Sequence, residues 1–432
     1  MIQQPLPLKP VTDYLIEQHT FPVIVGGYVR DALLGCESKD IDIEVYNVKN
    51  LDTLGRLLEP FGKVNHVGKS FGVLKMTIDG YEVDFSLPRT ESKKAPGHRG
   101  FDINLSGQLD FATAALRRDF TVNAMGFDIN SSYLLDPYKG QEDLKAKRLR
   151  CVKKETFVED PLRVLRAVQT AARFGLECDD ALMLLCRKMV KEGALDELPR
   201  ERIFEEIKKL LLKAPHPSEG LRIANRIGLL ELFPELAALR QKQSLENDPW
   251  SDTLNSLDIM ASMRSGDPKE DLVMMLAVLC HTFSESEILS FFSRLSGDKT
   301  LLERVKALVR YHDEPMRCYL QDADNPQIRR LALKVPLDEL VVIAKAIHLG
   351  KTTPEAKEGV FLAGDWLLQR ASQANATEAF LQPLLQGRDL IDQGYTPSPA
   401  FKIILDTAYE AQLDGVFDNR DGALEWLRAY RS

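Results

Sequence analysis

The chain has 432 residues, of which 44% are hydrophobic and 28% charged, a composition typical of soluble globular proteins. This length suggests about two to four domains. There is no run of about 18 apolar residues, so we expect no membrane-spanning helix. The N-terminus lacks the basic flank and apolar core of a signal peptide. Six scattered cysteines without a CxxC pair indicate reduced thiols in a cytoplasmic protein, not a disulfide framework or zinc site.

The charge is unevenly distributed. The net charge is −8, yet residues 1–175 hold 24 Lys and Arg against 23 Asp and Glu, so the excess negative charge lies in the rest of the chain. The overall field argues against binding of a polyanion. If one binds, local basic clusters such as "ALRRDF" and "KAKRLRCVKKE" must attract it.

The N-terminal third has the pattern of a mixed α/β domain. Residues 21–27 (FPVIVGG) predict a short buried strand, and 28–35 (YVRDALLG) predict a helix that stops at glycine. The alternating residues 40–46 (DIDIEVY) predict a strand, and 71–87 predict a hairpin with an Asp-Gly turn. The polar, Gly-rich residues 91–107 predict a mobile loop. After about residue 156, apolar residues at three- and four-residue spacing predict helices.

Two acidic residues lie two apart at the start of the DIDIEVY strand, shortly after a Gly-Gly turn. Residues i and i+2 share one face of a strand, so Asp40 and Asp42 lie side by side. Adjacent carboxylates repel each other unless a cation lies between them, and Mg²⁺ prefers oxygen ligands together with substrate phosphates. Gly26 and Gly27, before the following helix, allow the backbone to approach a phosphate closely. Alone, the two acids would fit an exposed strand; with the glycine turn they favour a metal and phosphate site.

Two more carboxylates bear on this prediction. Glu44 continues the same face of the strand as Asp40 and Asp42. Asp84, on the later strand "YEVDFSL", is a candidate third metal ligand. A hairpin strand can also carry an aspartate for solubility alone, so this second interpretation of Asp84 stays open.

Five segments resemble, in order, the consecutive motifs of the class II tRNA nucleotidyltransferase and poly(A) polymerase family. They are "GGYVRDALLG...DIDIEVY", "RRDFTVNAMGFD", "DPYKGQEDL", "EDPLRVLRAVQTAARF" and "LPRERIFEEIKKLLL". The resemblance implies an α/β plus all-α protein: a DNA polymerase beta-type nucleotidyltransferase head with a mixed sheet, then a helical neck, body and tail. The implied domains are a catalytic head at 1–150, a base-selecting neck at 151–240, a degenerate HD-like body at 241–360 and a tail at 361–432.

The resemblance also implies an activity: template-independent addition of C, C and A to the 3′ acceptor end of tRNA, from CTP and ATP, with Mg²⁺ as cofactor and no obligate protein partner. In it, Asp40 and Asp42 are catalytic, and the metal ligands are Asp40, Asp42 and Asp84. The implied nucleotide-binding residues are Gly26, Gly27, Arg30, Arg118, Asp119, Asn123, Asp160, Arg163 and Arg166.

The RRDFTVNA and EDPLRVLR motifs have plausible chemistry for these roles. A buried Asp119 can accept a hydrogen bond from a ribose 2′-OH, and Arg117 and Arg118 can donate charge-assisted bonds to phosphates. A carboxylate accepts from an exocyclic amine and a guanidinium donates to a ring acceptor. Asp160 and Arg163 together would therefore match cytosine and adenine and oppose uracil and guanine. Simpler roles stay open: a local Arg-Asp bridge in the first motif, and a helix N-cap for Asp160.

The resemblance extends to two connecting segments and to a remnant. "DPYKGQEDL", with Asp136, Gly140 and Asp143, resembles the family's hinge between head and neck. The segment between the hairpin and the RRD motif resembles the family's flexible loop at full length, which favours addition of both C and A by one chain. In the C-terminal half, the first metal histidine of an HD-type phosphohydrolase falls at Asp252 and its His-Asp pair reads His281-Thr282. His312-Asp313 stands alone, in a place that does not match that pair. We therefore predict a helical scaffold without phosphatase or phosphodiesterase activity.

Other functions stay open. A poly(A) polymerase would share the metal site and the RRD motif, but a long basic tail would favour it and this chain ends "LEWLRAYRS". A specialised CC-adding or A-adding enzyme also fits the motifs. A rival of another class is a catalytically silent RNA- or nucleotide-binding protein, against which the intact Asp40 and Asp42 argue.

Overall fold

The computed structural model describes residues 2–65, 72–93, 101–241, 248–351, 356, 358–376 and 381–431. The chain divides into two compact units, the first comprising Met1–Leu210 and Glu219–Leu232, the second Leu211–Ser218 and Phe233–Ser432. The expected boundaries at 150 and 360 fall inside these units. Within the described ranges, no helix has the length and apolarity needed to cross a membrane.

The strands all belong to unit 1. They are β1 (Phe21–Val25), β2 (Asp40–Tyr46), β3 (Val73–Ile78), β4 (Tyr81–Ser86), β5 (Arg89–Lys93), β6 (Phe101–Leu105), β7 (Gly126–Asp128), β8 (Tyr133–Leu135), β9 (Arg148–Leu149) and β10 (Glu177–Cys178). Six of them form one mixed sheet in the order β3-β4-β2-β1-β7-β8. The predicted mixed sheet is therefore confirmed.

The other main elements of the described chain are helices. Up to residue 227 they are α1 (Lys9–Glu17), α2 (Gly27–Leu33), α3 (Leu51–Leu58), α4 (Phe111–Ala115), α5 (Gly140–Lys145), α6 (Lys154–Phe157), α7 (Leu162–Phe174), α8 (Asp180–Lys191), α9 (Arg200–Lys213) and α10 (Pro217–Ile227). Those that follow are α11 (Pro234–Gln241), α12 (Pro249–Ser262), α13 (Pro268–Leu279), α14 (Glu285–Leu295), α15 (Lys299–Tyr311), α16 (Glu314–Leu320), α17 (Asn325–Ala332), α18 (Leu337–Gly350), α19 (Leu362–Gln373), α20 (Gly387–Asp392), α21 (Ala400–Asp414) and α22 (Arg420–Arg431). Short 3₁₀ turns lie at Leu6–Leu8, Glu59–Phe61, Thr121–Asn123, Ala194–Glu197 and Leu229–Leu232.

The central position of β2 follows from its sequence. The β-branched residues Ile41, Ile43 and Val45 are fully buried on one face, as alternation predicts. β2 pairs antiparallel with β1 and parallel with β4. Both edges of β2 are paired, so its register is fixed. A shift by one residue would move Asp40 and Asp42 from the exposed face of the strand to the buried face.

The loop predicted for residues 91–107 is wrong in part. The antiparallel strands β5 and β6 form a separate two-stranded sheet, and only residues 94–100 between them lie outside the described chain. The sequence pattern missed the strands because a ladder depends on backbone pairing with a partner, which composition does not report. The hairpin of β3 and β4 is confirmed, and its Asp79-Gly80 turn has φ of 47° and 82°, the left-handed values that such a turn needs.

Unit 2 is helical throughout its described residues. α12 packs against α13 and α18, and the contact with α18 is so close that a Cβ at Gly350 would lie 2.1 Å from Ser256 Oγ. A further hydrophobic cluster joins α20, α21 and α22, and its buried members are Leu385, Leu390, Ile404, Ala408, Phe417, Ala423 and Leu427. The C-terminal segment thus has a core of its own.

Candidate active site

Asp40 and Asp42 lie exposed on one face of β2, as the alternation predicts. Asp84 lies directly opposite Asp42 on the parallel strand β4. Loss of hydration raises the pKa of Asp42; Arg118 opposes this, and the charges of Asp84 and Glu44 add to the rise. The carboxylates of Asp42, Asp84 and Glu44 therefore interact on this face of the sheet, and Arg118 opposes their mutual repulsion.

The three expected metal ligands are not equivalent. Lys75 Nζ donates to Asp84 Oδ2 at 2.8 Å, and this hydrogen bond raises the pKa of Lys75. Over the described ranges, no three His, Cys, Asp or Glu side chains are arranged to hold a metal ion. The pair Asp40 and Asp42 still fits a hard divalent cation, since both offer exposed carboxylate oxygens on one face of β2 and Asp84 lies opposite Asp42.

The glycine turn before α2 brings an arginine to this carboxylate pair. Gly26 has φ of +74°, and its N–H donates to the Met125 carbonyl at 3.1 Å. A Cβ at Gly26 would lie 2.8 Å from Arg118 Nη1 and 3.8 Å from Asp42 Oδ2. The residue is glycine for two reasons: its backbone is left-handed, and the space is taken by the guanidinium. At Gly27, a Cβ would lie 3.5 Å from Arg30 Nη2.

A carboxylate that the sequence-based site prediction did not include holds the arginines. Glu44 is only 1% exposed, and its Oε1 accepts from Arg117 Nη2 at 2.6 Å and from Arg118 Nη2 at 3.0 Å. Its Oε2 accepts from the Tyr46 hydroxyl at 2.9 Å. Burial alone would raise the pKa of Glu44, but Arg118 and Arg117 hold it below its usual range. The sequence feature that could have identified Glu44 as a site residue is the alternation that places it on the same face of β2 as Asp42.

Arg30 lies beneath the surface of the site. Its Nε and Nη2 donate to Asp31 Oδ1 at 2.8 and 2.6 Å, and its Nη1 donates to Asn123 Oδ1 at 2.6 Å. The guanidinium also stacks over the Phe174 ring of α7, 4.0 Å from the centroid. Burial lowers the pKa of Arg30, against the pull of Asp31. Arg30 thus joins α2, the 121–123 turn and α7.

Asp119 continues this buried network. Its Oδ1 accepts from the Phe120 backbone N–H at 2.8 Å and from Asn123 Nδ2 at 3.1 Å, and its Oδ2 accepts from Arg166 Nε at 2.6 Å. Burial by itself would raise the pKa of Asp119, but Arg166 and Asn123 keep it below its usual range. Asp119, Asn123 and Arg166 are therefore brought together. The carboxylate is engaged by protein donors, and its contact with a ribose stays a prediction.

The two residues expected to read the base contact other parts of the protein. Asp160 Oδ1 accepts from the Leu162 backbone N–H at 3.2 Å and its Oδ2 lies 3.7 Å from Arg202 Nη2, whereas the N-cap position of α7 is Pro161, so the simple N-cap role left open for Asp160 is wrong. Arg163 donates through Nη1 to the Thr156 carbonyl and through Nη2 to the Arg117 carbonyl, each at 2.6 Å. Arg163 thereby ties α7 to the backbone of the RRD segment. Base selection by this pair stays a prediction.

The hinge-like segment is fastened to the same region. Asp136 accepts from the backbone N–H of Gly140 at 2.6 Å, and Asp143 is buried and accepts from Thr121 Oγ1 at 2.6 Å and from Arg150. A Cβ at Gly140 would lie 2.3 Å from the Thr121 carbonyl oxygen. Only glycine allows α5 to approach the 121–123 turn this closely.

In unit 2, the prediction that His312 stands alone was wrong. The rings of His281 and His312 meet edge to face with centroids 5.7 Å apart, in a cavity of about 960 Å³ that Thr282 also lines. The two histidines come together because α13 and α15 pack against each other, which spacing along the sequence does not reveal. Each Nδ1 lies within 2.8 Å of a carbonyl three residues earlier. Burial lowers the pKa of His281 to about 4, so its ring is neutral near pH 7.

Comparison with known proteins identifies the parts of this arrangement. Residues 23–150 match the family model described as the poly(A) polymerase head domain, and residues 175–239 match that of the probable RNA- and SrmB-binding site of polymerase A. The multifunctional CCA protein of Xanthomonas campestris pv. campestris strain B100 is 36% identical over 270 residues, which are 61% of this chain and 63% of that protein. That of Neisseria gonorrhoeae strain NCCP11945 is 36% identical over 246 residues, 56% of this chain and 57% of its own length. The matched part of the chain thus spans less than two thirds of these relatives.

Solved structures share the fold along nearly the whole chain. The Bacillus stearothermophilus CCA-adding enzyme in complex with CTP superposes with a TM-score of 0.74 at 19% identity, covering 99% of this chain and 98% of that one. The Thermotoga maritima CCA-adding enzyme complexed with tRNA gives 0.63 at 20% identity, covering 98% and 95%. Members of this nucleotidyltransferase family are generally metal-dependent. Residues 23–150 thus match the poly(A) polymerase head domain, and nearly the whole chain shares the fold of solved CCA-adding enzymes.

Proposed function

We propose that this protein is a CCA-adding enzyme, which transfers C, C and A from CTP and ATP to the 3′ end of tRNA and releases pyrophosphate. The observation that carries the proposal is the Gly26 turn, where Arg118 and the Asp42 carboxylate share the space that a side chain would fill. A cation-holding carboxylate pair beside a guanidinium suits a nucleoside triphosphate. The names of the relatives from Xanthomonas and Neisseria support CCA as the sequence added, and the Thermotoga maritima CCA-adding enzyme complexed with tRNA supports tRNA as the substrate. With tRNA as its substrate, we expect the enzyme to act in the cytoplasm.

In this reaction the tRNA 3′-hydroxyl oxygen forms a bond to the α-phosphorus of the nucleotide while the bond from that phosphorus to the bridging oxygen of pyrophosphate breaks. Asp40 and Asp42 would hold Mg²⁺ together with phosphate oxygens of the substrate. When bound, the cation makes the hydroxyl a better nucleophile and offsets charge on the leaving group. Arg118, supported by Arg117, donates to the phosphates, and the sheet holds these groups in line with the attack.

Selection of C and A belongs to the neck in this proposal. Asp160 would accept from the exocyclic amine of cytosine or adenine, and Arg163 would donate to the ring acceptor beside it. Both Nη atoms of Arg163 donate to backbone carbonyls, of Thr156 and Arg117, so reading a base requires one of these bonds to open or to be shared. Arg166, 37% exposed, would contact the triphosphate while it keeps its bond to Asp119.

The test is extension of a tRNA transcript that lacks its 3′ CCA. The purified full-length chain receives Mg²⁺ and labelled nucleotides, first singly and then in mixtures, and the products are resolved to one nucleotide. We expect extension that stops after C, C and A, and none with the Asp42→Asn variant. A long ladder of A residues on any RNA would show a poly(A) polymerase. A stop after two C, or A added only to a CC end, would show a specialised enzyme.

A further inference from the structure

Glu44 is the buried carboxylate on the acidic face of β2. Asp40 and Asp42 are exposed, whereas Glu44, on the same face of the strand, is only 1% exposed. It accepts three hydrogen bonds in the described chain, from Arg117, Arg118 and Tyr46. Burying a carboxylate costs free energy unless it is paired. The position of Glu44 beside Asp40 and Asp42 therefore needs a physical explanation.

Two guanidinium groups share the charge of Glu44. A single oxygen of this carboxylate accepts from both Arg117 and Arg118. Both arginines are largely buried, with side chains 17% and 13% exposed. A pair of guanidinium groups beside the carboxylates of Asp40 and Asp42 is suited to an anion that also carries a metal ion, as a nucleoside triphosphate does.

Glu44 also fixes where Arg118 points. Arg118 Nη2 is bound to Glu44, and Nη1 donates to the Asn123 carbonyl at 3.3 Å, so the guanidinium is held from two sides against the Gly26 turn. Nη1 and Nη2 each carry two N–H groups, and in the described chain each donates once to the protein. Arg118 therefore keeps donor capacity for a ligand after these contacts are counted.

We infer that Glu44 is a positioning residue for nucleotide binding, which holds the Arg118 guanidinium, with Arg117 beside it, where the triphosphate must lie. The inference rests on the proposed function for the identity of the substrate. It gives Glu44 no contact with the substrate; the residue acts through the arginines. A merely structural Glu44 would stabilise the head and leave the affinity for phosphate groups unchanged.

The experiment compares wild type with Glu44→Gln in two measurements: the KM for CTP, ATP and tRNA, and the binding of inorganic tripolyphosphate by calorimetry. Glutamine keeps the shape but cannot hold two guanidinium groups by charge. We expect the KM for CTP and for ATP to rise together by about tenfold or more, the size expected for a charge-assisted hydrogen bond. Tripolyphosphate binding should weaken by a similar factor, and the KM for tRNA should stay within about twofold.

A matched control is Glu235→Gln, which removes another buried carboxylate that pairs with an arginine, Arg294, in unit 2. Its nucleotide KM should equal that of wild type. A double-mutant cycle gives a second readout: because Glu44 acts through Arg118, adding Glu44→Gln to Arg118→Ala should change the nucleotide KM by less than about threefold, far below its effect alone.

Three outcomes decide the matter. A folded Glu44→Gln variant whose nucleotide KM and tripolyphosphate affinity match or exceed those of wild type overturns the inference. If that variant does not fold, Glu44→Asp keeps the charge with a shorter reach, and wild-type affinities in a folded Glu44→Asp also overturn it. If wild type fails to extend tRNA, the proposed function is wrong, but the tripolyphosphate comparison still tests the role of Glu44.

Discussion

Asp42 lies where the ionised form of a carboxylate is destabilised. Its pKa is raised by loss of hydration and by the charges of Asp84 and Glu44, so its ionised form is disfavoured in the folded protein relative to the unfolded chain. A neutral group of the same shape avoids that cost. Stability and activity therefore make opposite demands on this residue.

We predict that Asp42→Asn loses activity without losing stability. Loss of a metal-holding carboxylate removes several kcal/mol of transition-state stabilisation, so the extension rate should fall by about a thousandfold. The midpoint of thermal unfolding, measured without metal by far-UV circular dichroism, should equal or exceed that of wild type. A variant that retains most of its activity would contradict the assignment of Asp42 as a metal ligand.

The pKa of Asp119 is shifted in the opposite direction to that of Asp42, so ionised Asp119 stabilises the folded protein. Its folded pKa lies below the ordinary value, so its stabilising effect is fully present above that ordinary value, about 3.9, and is lost as pH falls through the folded pKa. We predict that Asp119→Asn lowers the free energy of unfolding at pH 7 by about 2 kcal/mol. This is less than for a fully buried pair because the Arg166 side chain is 37% exposed.

The measurement is urea unfolding followed by far-UV circular dichroism at pH 7 and at pH 3. The difference between wild type and Asp119→Asn should narrow at pH 3. Tryptophan fluorescence provides an internal control, because Trp250, Trp366 and Trp426 all lie in unit 2. The fluorescence transition should be the same for both proteins at pH 7, and an equal loss at both pH values would exclude an ionic role for Asp119.

At the residue scale, the sequence predicted which side chains face the site better than it predicted their partners. Period-two alternation correctly placed Asp40 and Asp42 on one exposed face. It did not show that Glu44 is buried under two arginines, or that Asp119 is bound by Arg166 of α7, 47 positions away. Such pairings depend on how helices pack on the sheet, which a local pattern does not contain.

At the scale of elements, the turn before α2 was predictable and the β5–β6 ladder was not. Gly-Gly after a short apolar strand is a strong local signal for a turn. The residues of β5 and β6 pair only with each other, and the sequence between them is polar and Gly-rich, so local composition pointed to a loop. The Gly-Gly turn starts α2, which carries Arg30. Hydrogen bonds from Arg30 to Asn123 and from Asn123 to Asp119 then join α2 to the 121–123 turn.

Two glycines at either end of α2 test the role of this turn. Gly26 and Gly35 have nearly the same φ, +74° and +72°, but a Cβ at Gly26 meets Arg118 at 2.8 Å whereas nothing lies within 4 Å of one at Gly35. We predict that both alanine variants lose about 1 kcal/mol of stability from backbone strain, and that Gly26→Ala loses more from crowding. Only Gly26→Ala should raise the KM for CTP and ATP. Equal KM values in the two variants would show that the turn does not position Arg118.

At the scale of the whole molecule, the two units differ in their charge and chemistry. The N-terminal part is close to neutral, and the excess negative charge lies in the C-terminal half. The histidine pair of unit 2 lies in a cavity, but Thr282 follows His281 where a metal-binding carboxylate would be needed. The carboxylates proposed to hold a metal, Asp40 and Asp42, lie in unit 1.

We predict that the protein does not hydrolyse phosphate esters. With 2′,3′-cyclic AMP or p-nitrophenyl phosphate and added Mn²⁺ or Ni²⁺, phosphate or nitrophenol release should not exceed that of a His281→Ala variant. The reason is that a neutral His281 beside a threonine lacks the carboxylate oxygens of an HD site. Metal-dependent turnover that disappears in His281→Ala would show that the cavity is a second active site.

The order of strands in the sheet has a consequence for synthesis of the chain. β1 pairs with β2 on one side, close in sequence, but on the other side Val25 pairs with Gly126, a full hundred positions later. During translation the apolar residues of β1 therefore present an unpaired edge until β7 has emerged from the ribosome. In that interval, incomplete heads on neighbouring ribosomes can pair with each other through this edge. Slow elongation through residues 47–125 would therefore favour aggregation over correct folding of the head.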